Sequence, residues 1–100
     1  MKIAIDYDKN YDISPRYFDR IAYRFQKAGH EVGILTARHK DEGCEVDFEP
    51  DFIEFLDIGD MSYENRALIK TETMKKLKID ILFDDRADLF PKEVVVLKLV

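Results

Sequence analysis

The chain is short of cysteine, of histidine and of long apolar runs, and each shortage removes a class of protein. A lone Cys44 cannot close an internal disulfide, which excludes a stapled secreted scaffold and favours a reducing compartment. No apolar stretch approaches the roughly 20 residues that cross a bilayer. The opening run Met1–Ile5 meets Asp6 before a signal-peptide core can form, so the expectation is a cytoplasmic protein without a membrane partner. Positive charge is also in deficit: 16 Lys and Arg against 21 Asp and Glu leave a net charge of −5. That balance argues against bulk binding to nucleic acid or anionic membrane. Repeats and low-complexity segments are absent as well.

What is present is enough for one core. At 100 residues, 46% of them hydrophobic, the chain reads as a single domain, residues 1–100, with no room for a second. Lys2–Asp6 is a short apolar run that stops where carboxylates begin, the pattern of a buried strand. Ser14 suits a helix N-cap and Pro15 the first helical position. Phe18, Ile21, Ala22, Phe25 and Ala28 then recur at helical spacing until Gly29 offers a left-handed cap. Val32–Thr36 is a second apolar run one helix later, which predicts a βαβ unit with parallel strands.

Arg38 to Asp51 is polar and acidic and reads as a solvated loop, without the spacing of a calcium-binding loop. Phe52–Ile58 predicts a third strand, ended by Gly59. Ser62–Lys78 predicts one or two short helices with Thr71 as an internal cap. Ile79–Phe83 and Val94–Leu99 predict two more strands. The alternation implies a three-layer, Rossmann-like α/β domain. Its mostly parallel sheet has about five strands, and a ligand site lies outside their carboxyl ends.

Placed on that frame, the polar residues converge. Asp6 and Asp8 follow the first strand, Thr36 ends the second, Lys70 precedes a late helix, and Asp84 and Asp85 end the fourth strand. Carboxylates gathered at one rim repel one another and should hold a proton or recruit a cation. Oxygen donors with few histidines favour Mg²⁺ over zinc. Carboxylates, a hydroxyl, a lysine and Mg²⁺ together suit a phosphoryl group, whose oxygens the cations neutralise while a carboxylate attacks phosphorus.

With these residues in place the sequence resembles the haloacid dehalogenase superfamily. The resemblance is carried by Ile3-Ala4-Ile5-Asp6-Tyr7-Asp8, by Ile34-Leu35-Thr36, by Lys70, and by Ile81-Leu82-Phe83-Asp84-Asp85-Arg86, in that order across nearly the whole chain. It implies a Mg²⁺-dependent phosphomonoesterase acting through an aspartyl-phosphate. In that role Asp6 is the nucleophile and Asp8 the general acid and base. Thr36 and Lys70 hold the phosphoryl oxygens; of Lys70, Lys75 and Lys76, Lys70 fits the family pattern because it sits just before a helix start. The metal is shared among the Asp6, Asp84 and Asp85 side chains and the Asp8 backbone carbonyl, with Asp88 a further possible ligand. Lys9-Asn10 stands where the family usually carries a threonine or valine that ties the loop down, and Asn10 can substitute by hydrogen bonding.

The segments between Asp8 and Thr36 and between Thr36 and Lys70 are too short for the family's inserted cap domain. An open site follows, suited to a phosphorylated macromolecule or to a small substrate enclosed by a neighbouring copy, with Val94–Leu99 as a homo-oligomer pairing edge. The competing expectations are a catalytically silent relative that serves as a binding module and a phospho-accepting receiver domain. Chain order disfavours the receiver, because the adjacent acid pair comes late. Arg38 and His39 are expected to face solvent, as is the Arg16, Arg20, Arg24 stripe. Cys44 and the tyrosines receive no role.

Overall fold

The computed structural model describes residues 1–99. Its strands are β1 (Lys2–Ile5), β2 (Glu31–Thr36), β3 (Ile53–Phe55), β4 (Ile81–Phe83) and β5 (Val95–Leu97). They form one sheet in the order β3-β2-β1-β4-β5. Every pairing is parallel, with Ile3 opposite Val32 on one side and Ile81 on the other.

Successive strand residues point to opposite faces, and the two faces bury different helices. Ile3, Ile5, Val32 and Ile34 pack with Phe18 and Ala22 of α1 (Pro15–Lys27). Ala4, Leu35 and Leu82 pack with Met74 of α2 (Tyr63–Leu77). The result is the three-layer α/β domain that the alternation of strands and helices predicts. Burying a large apolar side chain is worth about 1.5–3 kcal/mol, and Phe18, Ile34 and Leu35 are wholly buried. Gly33 belongs to this packing, since a Cβ there would run into the carbonyl oxygen and ring of Phe52.

The ends of α1 are as expected in position. Pro15 occupies the first turn and Gly29, at φ 93°, follows the C-terminus. Ser14 occupies the N-cap, but its side chain makes no capping hydrogen bond. Elsewhere the structure corrects the sequence. β3 is only three residues long, because Asp57 turns into the left-handed region at φ 53°. Residues 63–77 form one helix, and Thr71 does not cap it: its hydroxyl donates to the Ala67 carbonyl at 2.7 Å within the same helix. The segment from Arg38 to Asp51 is not a free solvated loop. Cys44, Val46 and Phe48 pack against the α1 face of the core, and Asp51 accepts from the Val32 amide at 2.7 Å.

Between β2 and α2 the described residues add only β3 and a 3₁₀ turn at Lys40–Glu42, so no cap domain covers the sheet. No helix of the described residues is long and apolar enough to cross a membrane. The chain builds outward from β1 through β2 to β3, then crosses back to β4 on the other side of β1. That reversal opens a crevice beyond the carboxyl ends of β1 and β4, where open α/β sheets bind ligands.

Candidate functional site

Asp6 leaves β1 and Asp84 leaves β4, so the reversal of strand order alone brings the two carboxylates together. The Asp6 amide donates to the Phe83 carbonyl at 2.9 Å. Asn10 reinforces that junction, its Nδ2 donating to the Asp6 carbonyl at 3.0 Å and to the Phe83 carbonyl at 2.9 Å. The loop-tying role expected of Asn10 is therefore real, and it links two strands rather than one turn. Lys9, between Asp8 and Asn10, is forced into the left-handed region at φ 57°.

Lys70 reaches the pair from the middle of α2, not from a position before a helix. Its Nζ donates to Asp6 Oδ1 and to Asp84 Oδ2, each at 2.9 Å. Lys75, another candidate by sequence, instead pairs with Glu93 at 3.0 Å on the surface. Asp6, Lys70 and Asp84 are only 6%, 6% and 3% exposed. The second oxygen of Asp84 accepts from the Arg86 amide at 2.9 Å. Among the described residues Asp6 Oδ2 has no hydrogen bond and is left for the cleft.

Asp85 completes the group: ligand oxygens of Asp6, Asp84 and Asp85 all lie within 4.8 Å of one another. Three carboxylates thus face one ammonium in a largely desolvated place. Burial first, then Asp84 and Asp85, push Asp6 up to about 7 against the opposing pull of Lys70. Asp85 is raised too, first by burial and then by Asp84. Burial alone would lower Lys70, but the two carboxylates outweigh it and hold the ammonium above its ordinary value. The surplus negative charge and all-oxygen donor set fit a hard divalent cation. Asp88, by contrast, stands outside the group and pairs with Arg86 at 3.3 Å.

Asp8 does not join the three. It lines the same cleft, of about 450 Å³, but Arg38 holds it: Nε reaches Oδ1 at 3.1 Å and Oδ2 at 3.0 Å, and Nη2 reaches Oδ1 at 2.8 Å. Arg38 also donates to the Gly43 carbonyl at 3.0 Å and lies over the Tyr7 ring at 4.6 Å. The expectation that Arg38 faces solvent is overturned, because the β2 terminus aims it at the β1 turn. Thr36 is wholly buried, and its hydroxyl accepts from the Arg38 amide at 3.2 Å. It supports the Arg38 backbone and is not part of the cleft wall.

Sequence reasoning also missed Tyr11, which is buried with its hydroxyl donating to Asp19 at 2.6 Å and accepting from the Asp47 amide at 2.9 Å. It fastens the 38–51 segment to the β1 turn. The signal was available in Cys44-Glu45-Val46-Asp47-Phe48-Glu49, where apolar residues occur at every second position. Such alternation marks an extended segment with one buried side. No protein-family model, curated protein or solved structure matches the chain, so the site stands on its own geometry.

Proposed function

We propose that the protein is a Mg²⁺-dependent phosphomonoesterase that works through an aspartyl-phosphate on Asp6, as its resemblance to the haloacid dehalogenase superfamily implies. The observation that carries this reading is the Asp6–Lys70–Asp84 bridge at the strand-order reversal, with Asp85 beside it. Mg²⁺ on the Asp6, Asp84 and Asp85 carboxylates and the Asp8 carbonyl would supply the positive charge that offsets the phosphoryl oxygens.

The chain's own residues account for the bond changes. Asp6 Oδ2, free of the lysine, attacks phosphorus as the ester P–O bond breaks. Asp8 gives its proton to the departing alkoxide and then removes one from the water that hydrolyses the acyl phosphate, which returns Asp6 and releases phosphate. Lys70 keeps Asp6 oriented and stabilises charge on the transferring group. The cleft has no covering domain, so the scissile ester can belong to a larger molecule. A lone half-buried cysteine fits a reducing, cytoplasmic setting.

One observation favours a silent binding module instead: Arg38 engages both oxygens of Asp8, and a proton carrier must release one. Turnover of p-nitrophenyl phosphate decides between them. The phosphatase reading requires turnover with Mg²⁺, none with excess chelator and none in Asp6→Asn. A folded wild-type protein inert in Mg²⁺ would select the silent module.

A further inference from the structure

On one side of the acidic cleft, whose lining also includes exposed Asp12 and Glu42, three cations gather. Lys9, Arg66 and Arg86 line it and gather about one aromatic ring. Their cationic groups lie 5.9, 4.8 and 5.2 Å from the Tyr63 ring centre. Lys9 also donates to the Tyr63 hydroxyl at 3.4 Å. In a chain with a surplus of acids, neither Lys9 nor Arg66 makes an ion pair among the described residues. Only Arg86 has one, with exposed Asp88. Three like charges on one ring repel each other, and an anion between them would relieve that repulsion.

The cluster is built rather than loose. Arg66 Nε donates to the Met61 carbonyl at 3.0 Å, and Nη2 donates to the Gly59 carbonyl, which fixes the guanidinium before any ligand arrives. Lys9 is presented from a left-handed backbone that disfavours side chains other than glycine, asparagine and aspartate. Tyr63, Arg66 and Lys70 follow at i, i+3 and i+7 on one face of α2. Arg66 therefore stands about one helical turn, roughly 5.4 Å along the axis, from the lysine at the cleft floor. It lies in the first turns of α2, where the helix dipole adds positive potential.

We infer that this rim binds a second phosphate of the substrate, and that the preferred substrates are phosphomonoesters carrying another phosphate group about one helical turn away. The inference rests on the phosphatase reading for the reacting group only; the rim itself is an anion site in its own right. A second phosphate can come from a small bisphosphate or from the diester next to a phosphorylated strand end. A guanidinium held by two carbonyls loses little freedom on meeting an anion, and charge-assisted hydrogen bonds are the strong ones.

The test compares kcat/KM in Mg²⁺ for two pairs: fructose 1,6-bisphosphate against fructose 6-phosphate, and a 5′-phosphorylated trinucleotide against a nucleoside 5′-monophosphate. The member with more than one phosphate in at least one pair should win by about tenfold or more, and the winning pair names the source. That preference should collapse in Arg66→Gln combined with Arg86→Gln and shrink with added salt. In parallel, calorimetric binding of the same four compounds is measured with Asp6→Asn, which cannot turn them over. Aryl phosphate turnover without preference in either pair, or a preference that survives the double substitution, overturns the rim site and leaves the phosphatase standing. Absence of all turnover, with Arg66-dependent binding of a compound carrying more than one phosphate, overturns the phosphatase and keeps the rim.

Discussion

Arg38 grips both carboxylate oxygens of Asp8, with Nη2 at 2.8 Å from Oδ1 and Nε at 3.0 Å from Oδ2, and the same guanidinium donates to the Gly43 carbonyl. One side chain therefore ties the β1 turn to the segment that follows β2. Asp8 and Arg38 both retain solvent contact, and such pairs contribute at most about 1 kcal/mol to global stability. Arg38→Ala should accordingly change the melting temperature little while loosening residues 39–47 locally. Amide hydrogen exchange by mass spectrometry should show faster exchange confined to peptides covering that segment. Unchanged exchange there would mean that Tyr11 and the packing of Cys44, Val46 and Phe48 hold it without Arg38.

The raised Asp6 carboxyl makes stability depend on pH. Its value of about 7, against the ordinary 3.8, means that between those limits the folded protein keeps a proton the unfolded chain has shed. Stability from this group therefore falls as pH rises from about 4 to about 7 and stays reduced above. Asp6→Asn removes the buried charge and keeps the volume. Without divalent cations the variant should melt several degrees above wild type at pH 8, ~1 kcal/mol being about 4–8 °C in a domain of this size. The difference should shrink steadily toward pH 4. A variant that melts lower at pH 8 would contradict the cause given for the shift.

Lys70 is the complementary case. Removing the ammonium leaves Asp6 and Asp84 facing each other with no cation among the described residues within hydrogen-bond reach. Breaking a buried pair by deleting one partner costs about 3–5 kcal/mol. Lys70→Met should lose stability of that order at pH 8 and recover part of it at pH 5, where a proton can take the place of the ammonium. Circular-dichroism melts at the two pH values check this. A loss independent of pH would assign the effect to packing in α2.

The α/β fold was legible because each of its cues is local. Pro15 and Gly29 bracket α1, and the apolar runs of β1 and β4 each end in the carboxylate that reaches the site. What escaped depends on partners distant in sequence. α2 was blurred because its buried face carries Lys70 and Thr71 beside Ala67 and Met74, so its hydropathy does not alternate cleanly. Nothing in the polar stretch around Arg38 indicates that its partner is Asp8, 30 residues earlier. The rim cations come from three separate segments, and only the crossover from β3 to β4 places them around Tyr63.

Metal binding should appear as stability before it appears as catalysis. A cation that binds only the folded state raises stability with its saturation, by about 2.7 kcal/mol at a hundredfold excess over Kd. Mg²⁺ in the millimolar range should therefore raise the melting temperature at pH 8, where Asp6 is charged. The response should be weaker at pH 5, where protons compete for the same oxygens. Asp85 lies within the three-carboxylate group but makes no ion pair with Lys70. Asp85→Asn should thus raise the metal-free melt at pH 8, since it removes a carboxylate that burial and Asp84 disfavour, while removing most of the Mg²⁺ response. Titrating Mg²⁺ and Ca²⁺ into both proteins under differential scanning fluorimetry reads all of these at once. A wild-type melt indifferent to both cations would remove the metal from the site and leave Lys70 as the counter-charge to Asp6 and Asp84 among the described residues.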